Sequence, residues 1–311
     1  MVNKLNSDVR DYFFDGVYNL AKKNKNILFL TSDHTAFSLG KFEKDMPKQF
    51  INLGISEQNI MSVSSGLALN GKIVFVYGIA PFVTFRCFEQ INIDICSMNL
   101  NVNIVSMGSG LTYSSDGPTH HGTQDQAVMS TLPNFSIFNV SDPYTAKYLP
   151  QKTLKTNGPK LFRIEKGILN CLHKSKNVIS NGFGYYQSNS KTIIISTGIM
   201  SQVGNDICDY YKNKDKKISF LDLIQVKPIN EKKLVNIIKK YKYLFSIEEN
   251  MPFGGISYLL SNLIVKNNLK TKLVSYSLPE KYLFNSGPRN WMQKKYGLDK
   301  NKIIKEINKY I

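Results

Sequence analysis

The sequence predicts an α/β protein of two domains, each a mostly parallel sheet flanked by helices. Short apolar, β-branched runs alternate along it with segments of helical periodicity, as in strands joined by crossover helices and unlike a sandwich or a bundle. Its 311 residues, 42% of them hydrophobic, suffice for two separate cores.

In the first domain, 1–175, strands are expected at Ile27–Leu30, Phe50–Asn52, Ile73–Val76, Val102–Ser106, Phe135–Val140 and Lys160–Arg163. Helices are expected at Val9–Lys22, Glu57–Leu69, Thr84–Met98 and Tyr144–Leu154. A polar, glycine-containing stretch, 176–190, reads as a linker. In the second domain, 191–311, strands fall at Thr192–Ser196, Ile218–Leu223, Tyr243–Ile247 and Leu273–Tyr276. Helices lie near Gln202–Tyr211, Glu231–Lys240, Ile256–Val265 and Lys302–Tyr310.

The chain carries 40 basic and 23 acidic residues, a formal charge of +17. Only Arg10, Arg86, Arg163 and Arg289 are arginine. Nucleic-acid readers favour the arginine fork, so the 36 lysines read as a solvated surface, with neither nucleic acid nor membrane as partner. The excess still suits capture of anionic substrates or an acidic partner. Cys87, Cys96, Cys171 and Cys208 form no CxxC pair, which argues against a zinc site and a disulfide framework. No run of 18 apolar residues occurs, and the first eight residues lack the apolar core and cleavage site of a leader, so a soluble cytoplasmic protein is expected.

Ligand chemistry in open parallel sheets gathers beyond the carboxyl ends of the strands. Asp33, His34, Glu57, Asp116, His120 and His121 all fall in such places. Glu57 opens a helix rich in small residues, against which another backbone can approach; burial there would raise its carboxyl pKa toward the range useful for proton exchange. An acid in a first helical turn also simply complements the helix dipole. Phe82, Phe85 and Phe88 recur every three residues after a strand and a Gly78-Ile79-Ala80-Pro81 turn. Such a stripe is either core or a platform for a planar heterocycle. The loop 107–125, dense in Gly, Asp, His and Thr, has the length and composition of a functional loop.

These three elements, in this order, resemble the pyrimidine-binding domain of the transketolase family. Gly54-Ile55-Ser56-Glu57 matches its acidic helix start and Phe82-Val83-Thr84-Phe85-Arg86-Cys87-Phe88 its aromatic pocket. Asp116-Gly117-Pro118-Thr119-His120 is identical to its usual substrate-loop motif. Ile247-Glu248-Glu249-Asn250 and Tyr296-Gly297-Leu298-Asp299 are similar to the family's C-terminal domain, so the resemblance covers nearly the whole chain. It implies thiamine diphosphate as cofactor, with Glu57 hydrogen-bonding the aminopyrimidine nitrogen, Phe82, Phe85 and Phe88 enclosing that ring, and Asp33 beside cofactor and substrate. It further implies that His120 and Asp116 bind substrate hydroxyls and move protons. His34 and His121 join them as substrate-side groups, and Arg163 and Arg86 as contacts for an anionic substrate.

The chain departs from the full-length pattern in having no GDG motif. Its Asp-Gly pairs are Asp15-Gly16, in an expected helix, and Asp116-Gly117. No metal site is therefore expected in this chain. The diphosphate and magnesium would be held by a separate subunit, in an assembly with two copies of each. Gly108 stands where some transketolases place a histidine toward substrate phosphate, and His121 is an added histidine, which together point to a specialised sugar. The expected activity is transfer of a two-carbon ketol unit between sugars or sugar phosphates. The alternatives are a 2-oxo-acid dehydrogenase β subunit, a deoxyxylulose-phosphate-synthase-like enzyme, and a non-catalytic basic binding protein.

Overall fold

The computed structural model describes residues 7–34 and 36–310; of the stretch read for a leader, residues 1–6 lie outside them. The described residues form two sheets. Strands β1 (Ile27–Thr31), β2 (Phe50–Asn52), β3 (Ile73–Ile79), β4 (Val102–Met107), β5 (Ser136–Asn139) and β6 (Lys160–Ile164) are mutually parallel, in the order β5-β6-β4-β3-β1-β2. β1, β4 and β6 are buried at every residue, as strands covered on both faces must be. Then follow β7 (Phe183–Tyr186), β8 (Thr192–Ser196), β9 (Ser219–Leu223), β10 (Gln225–Lys227), β11 (Tyr243–Ile247) and β12 (Lys272–Tyr276). Five of them make the second sheet, β12-β11-β8-β9-β7, parallel except for β7, which runs antiparallel to β9. β10 instead returns to the first sheet and pairs antiparallel with β5.

Around the first sheet lie α1 (Val9–Lys23), α2 (Phe37–Asp45), α3 (Glu57–Leu69), α4 (Ala80–Val83), α5 (Phe88–Gln90), α6 (Asp125–Ser130), α7 (Pro143–Tyr148) and α8 (Lys152–Lys155). α1 begins on an Asp8 cap and buries Phe13, Phe14 and Val17, each worth roughly 1.5–3 kcal/mol when fully covered. The second sheet carries α9 (Asn177–Asn181), α10 (Met200–Lys212), α11 (Glu231–Ile238), α12 (Ile256–Lys266), α13 (Arg289–Lys295) and α14 (Lys300–Ile307). One hydrophobic cluster runs unbroken from Val74 and Ile104 of the first sheet to Ile193 and Leu221 of the second, so the two domains share a core.

Three expectations are corrected. The helix expected over Thr84–Met98 starts earlier, at Ala80, because Pro81 suits a first turn. It breaks at Thr84, whose hydroxyl bonds back to the Ala80 carbonyl at 2.6 Å, and resumes as α5 and a π-turn, Ile91–Cys96. The helix expected over Tyr144–Leu154 is interrupted by a 3-10 turn at Leu149–Gln151, where Pro150 lacks the N–H a continuous helix requires. The expected linker, 176–190, folds into α9 and β7. Gly182, at φ 78°, ends the helix in the left-handed conformation that glycine adopts without strain, and Phe183 enters the shared core.

Candidate active site

The order β4-β3-β1-β2 sets four carboxyl ends side by side, and the singled-out residues stand there. After β1 come Asp33 and His34, after β2 Glu57 at the start of α3, after β3 Phe82 on α4, and after β4 the loop that bears Asp116, His120 and His121.

Glu57 is 3% exposed. Its Oε2 accepts a 2.9 Å hydrogen bond from Arg86 Nη1, and its Oε1 is buried without a hydrogen-bond partner among the described residues. Arg86 is therefore placed on the carboxylate itself, with its guanidinium over the Phe82 ring at 4.4 Å. His120 meets the same Phe82 ring in a T-shaped contact, centroids 5.1 Å apart, and makes a second such contact with Tyr113 at 6.0 Å. Glu57, Arg86, Phe82, His120 and Tyr113 thus form one contiguous group.

Glycines make this approach feasible. A Cβ on Gly78 would meet Val83 Cγ1 at 2.4 Å, so only glycine lets β3 pass beneath α4. At Gly108, φ is 98° and a Cβ would strike the Tyr113 ring at 2.5 Å, so glycine makes room for the tyrosine that packs against His120.

Asp33, at φ 60°, is exposed, and its carboxylate accepts from Asn52 Nδ2 at 3.1 Å. His34 Nδ1 lies 3.2 Å from Ser32 Oγ, and burial pushes its pKa down despite the nearby Glu57 and Asp33 charges. Asp116 is exposed on the loop. His121 is buried, with Nε2 unpartnered among the described residues and its pKa lowered by burial.

Phe88, half-buried, packs against the shared core. Arg163, 3% exposed, is taken up internally by Asp125, Gln126, Asn139, the Gly122 carbonyl and Asn250, leaving its fork none of the freedom expected for a substrate contact.

Sequence reasoning passed over a second ionic group beneath the loop. Arg289 binds Glu249 at 2.6 Å and Glu165 at 2.7 Å, while the Leu111 N–H donates to Glu249 Oε2 at 2.9 Å. Burial alone would raise the Glu249 pKa, but Arg289 draws it below the ordinary value. The scarcity of arginine was the available signal: all four arginines, Arg10, Arg86, Arg163 and Arg289, are ion-paired.

Fold and site together define a two-domain parallel α/β protein with a buried carboxylate and an aromatic platform at the carboxyl edge of its first sheet. The family model for the transketolase pyrimidine-binding domain matches residues 6–170, and that for the transketolase C-terminal domain matches residues 185–303. The chain belongs to the transketolase family. It is 26% identical over 310 residues to an apulose-4-phosphate transketolase subunit of Phocaeicola vulgatus, covering 97% of each chain. It is also 26% identical over 294 residues to the 1-deoxy-D-xylulose-5-phosphate synthase of Alkaliphilus oremlandii, covering 93% of this chain and 46% of that one. Its fold matches a solved structure described as a split gene transketolase, inactive beta4 tetramer, with TM-score 0.86, 24% identity and 97% of each chain covered. Family membership implies dependence on thiamine diphosphate, and the site fits that group: Glu57 Oε1 is a buried acceptor with no donor among the described residues, and Arg86 links its carboxylate to the Phe82 ring.

Proposed function

We propose that this chain is the cofactor-activating subunit of a split transketolase, transferring a two-carbon ketol unit between phosphorylated sugars together with a second subunit that holds the diphosphate and magnesium. The observation that carries this reading is the buried Oε1 of Glu57, without a partner among the described residues, on a carboxylate that Arg86 joins to the Phe82 ring and, through it, to His120. The apulose-4-phosphate transketolase relative supports a phosphorylated sugar as substrate. A cytoplasmic setting and an assembly of two copies of each chain complete the proposal.

Thiamine diphosphate supplies, when bound, a carbon nucleophile and an electron sink. Glu57 would hydrogen-bond the aminopyrimidine ring nitrogen through Oε1, with Arg86 fixing the carboxylate through Oε2. Phe82 would face the pyrimidine, and it packs in a T-shaped contact with His120, which with Asp116 would bind substrate hydroxyls and move their protons. Asp33 and His34, whose pKa burial lowers, line the approach from β1.

Partner docking is supported by the surface around α3. Ile55 is 78% exposed, Leu69 60% and Ile93 54%, beside Ser62 and Gly66, where an added Cβ would have nothing within 4 Å. Such a face accepts another backbone closely.

The test is reconstitution of the chain with a subunit carrying a GDG motif, thiamine diphosphate and Mg2+. Ketol transfer that needs both chains, and that Glu57→Ala abolishes, supports the proposal; equal activity of Glu57→Ala and wild type refutes it. Release of carbon dioxide from a 2-oxo acid, with no ketol transfer, favours the second reading suggested by the deoxyxylulose-phosphate synthase relative.

A further inference from the structure

A groove of about 990 Å³ lies far along the chain from the site, between α9, β7 and α11. Its floor is apolar, made by Phe183, Val178 and Ile237, and it is held in shape by a 2.6 Å hydrogen bond between the Tyr185 and Tyr241 hydroxyls. Lys174, Lys233, Lys239 and Lys240 stand around it, and no aspartate or glutamate lines it among the described residues. Lys233 donates to Asn181 Oδ1 at 2.7 Å across the groove.

β7 is the last strand of its sheet, and its ladder is with β9 alone among the described residues. Folded proteins protect such edges with lysine or proline in the strand, with bulges, or with a cover, because an unpaired row of N–H and C=O groups recruits other strands. The opposite edge, β12, carries Lys272 within the strand, and the edge of the first sheet, β10, carries Lys227, an irregular register and a following proline. β7 reads Phe183-Gly184-Tyr185-Tyr186, uncharged and without proline, and its pairing is regular. The lysines stand beside the strand rather than in it, leaving the edge itself open and its surroundings positive.

We propose that this groove binds an extended, acidic segment of another polypeptide, which adds to the sheet along β7. Main-chain hydrogen bonds to the strand edge supply affinity, alternate apolar side chains cover Phe183 and Tyr185, and the carboxylates between them meet the lysines. The overall charge of +17 draws an acidic segment toward the protein, and the four local lysines select it over a basic one. This site is independent of the ketol-transfer reading.

The probe is a fluorescein-labelled heptapeptide alternating glutamate and valine, titrated into the full chain by anisotropy at two salt concentrations. Its lysine–valine counterpart and a copy N-methylated at alternate residues along one edge serve as comparisons. The expected result is saturable binding of the acidic peptide that weakens with salt, with roughly tenfold or greater loss for the lysine peptide and for the variant Lys239→Glu with Lys240→Glu. N-methylation is expected to abolish binding, and the amides of residues 183–186 to gain hydrogen-exchange protection in the complex. Failure of the acidic peptide to bind overturns the proposal, as does binding indifferent to N-methylation, which reduces the groove to a charged surface. Tighter, lysine-dependent binding of an oligothymidylate than of the peptide overturns it in favour of a nucleic-acid site. The two lysines are exposed, so circular dichroism of the variant verifies that its fold is retained.

Discussion

Arg86 lies over the Phe82 ring and His120 meets that ring in a T-shaped contact; in the proposed function the first holds Glu57 and the second moves protons. Glu57→Gln keeps the size of the side chain but weakens acceptance from a ring N–H, and ketol transfer in the reconstituted enzyme is expected to fall roughly 10²–10⁴-fold, as for loss of an acid–base group. Folding stability, measured by urea titration, should change little, because Arg86 is 46% exposed and regains water when its partner is neutral. Gly184→Ala is the converse case. A Cβ there lies 2.3 Å from His173 Cε1, and the variant is expected to lose about 1–3 kcal/mol in the same titration with no direct effect on the site. At this scale residue type and motif order sufficed to single out Glu57, Phe82 and His120, which the fold groups around Arg86. Arg163 was assigned to substrate because sequence does not reveal that Asp125, Gln126, Asn139 and Asn250, drawn from α6, β5 and the second domain, converge on it.

Elements behaved according to how much of their identity is local. Fully buried parallel strands such as β1 announce themselves as apolar runs, and α1 by its helical period. The segment after Pro81 did not, since a single threonine hydroxyl and a π-turn break a pattern that looks continuous by periodicity. β7 was hidden for another reason: four residues flanked by polar turns carry too little pattern, and only tertiary contact makes them a strand. The Arg163–Asp125 pair, 3% and 0% exposed, ties β6 to α6. Arg163→Met strands a buried carboxylate and is expected to cost about 3–5 kcal/mol, read as a lowered urea midpoint, whereas changing both partners to apolar residues is expected to recover much of that loss.

Across the whole molecule, a buried polar network fastens one domain to the other. His173 Nε2 lies 2.7 Å from Asp222 Oδ2 and its Nδ1 2.8 Å from the Tyr186 hydroxyl; Ser141 and Ser201 donate to the same aspartate, and Asp142 accepts the His173 N–H. Burial alone would lower the His173 pKa, but the hydrogen bond and charge of Asp222, with Asp142 behind it, raise it above its ordinary value. A raised histidine pKa means that the folded state binds the proton more tightly than the unfolded chain. Its stabilisation is full below the ordinary value of about 6.5 and is lost as pH rises through the folded value. Denaturation of His173→Gln and wild type across pH 5–9 should show the difference between them shrinking toward the alkaline end; a constant difference would sink this assignment.

β10 lies beyond three strands of the second sheet in the sequence, yet it closes the edge of the first. A fragment ending at residue 175 therefore leaves β5 bare, and it is expected to precipitate or dimerise where the intact chain does not, as light scattering would register. For anyone grafting one half onto a foreign counterpart, the workable seam does not run where the chain passes from one fold unit to the next. Residues 225–227 must travel with the N-terminal half, so a chimaera that respects the apparent boundary inherits a missing hem.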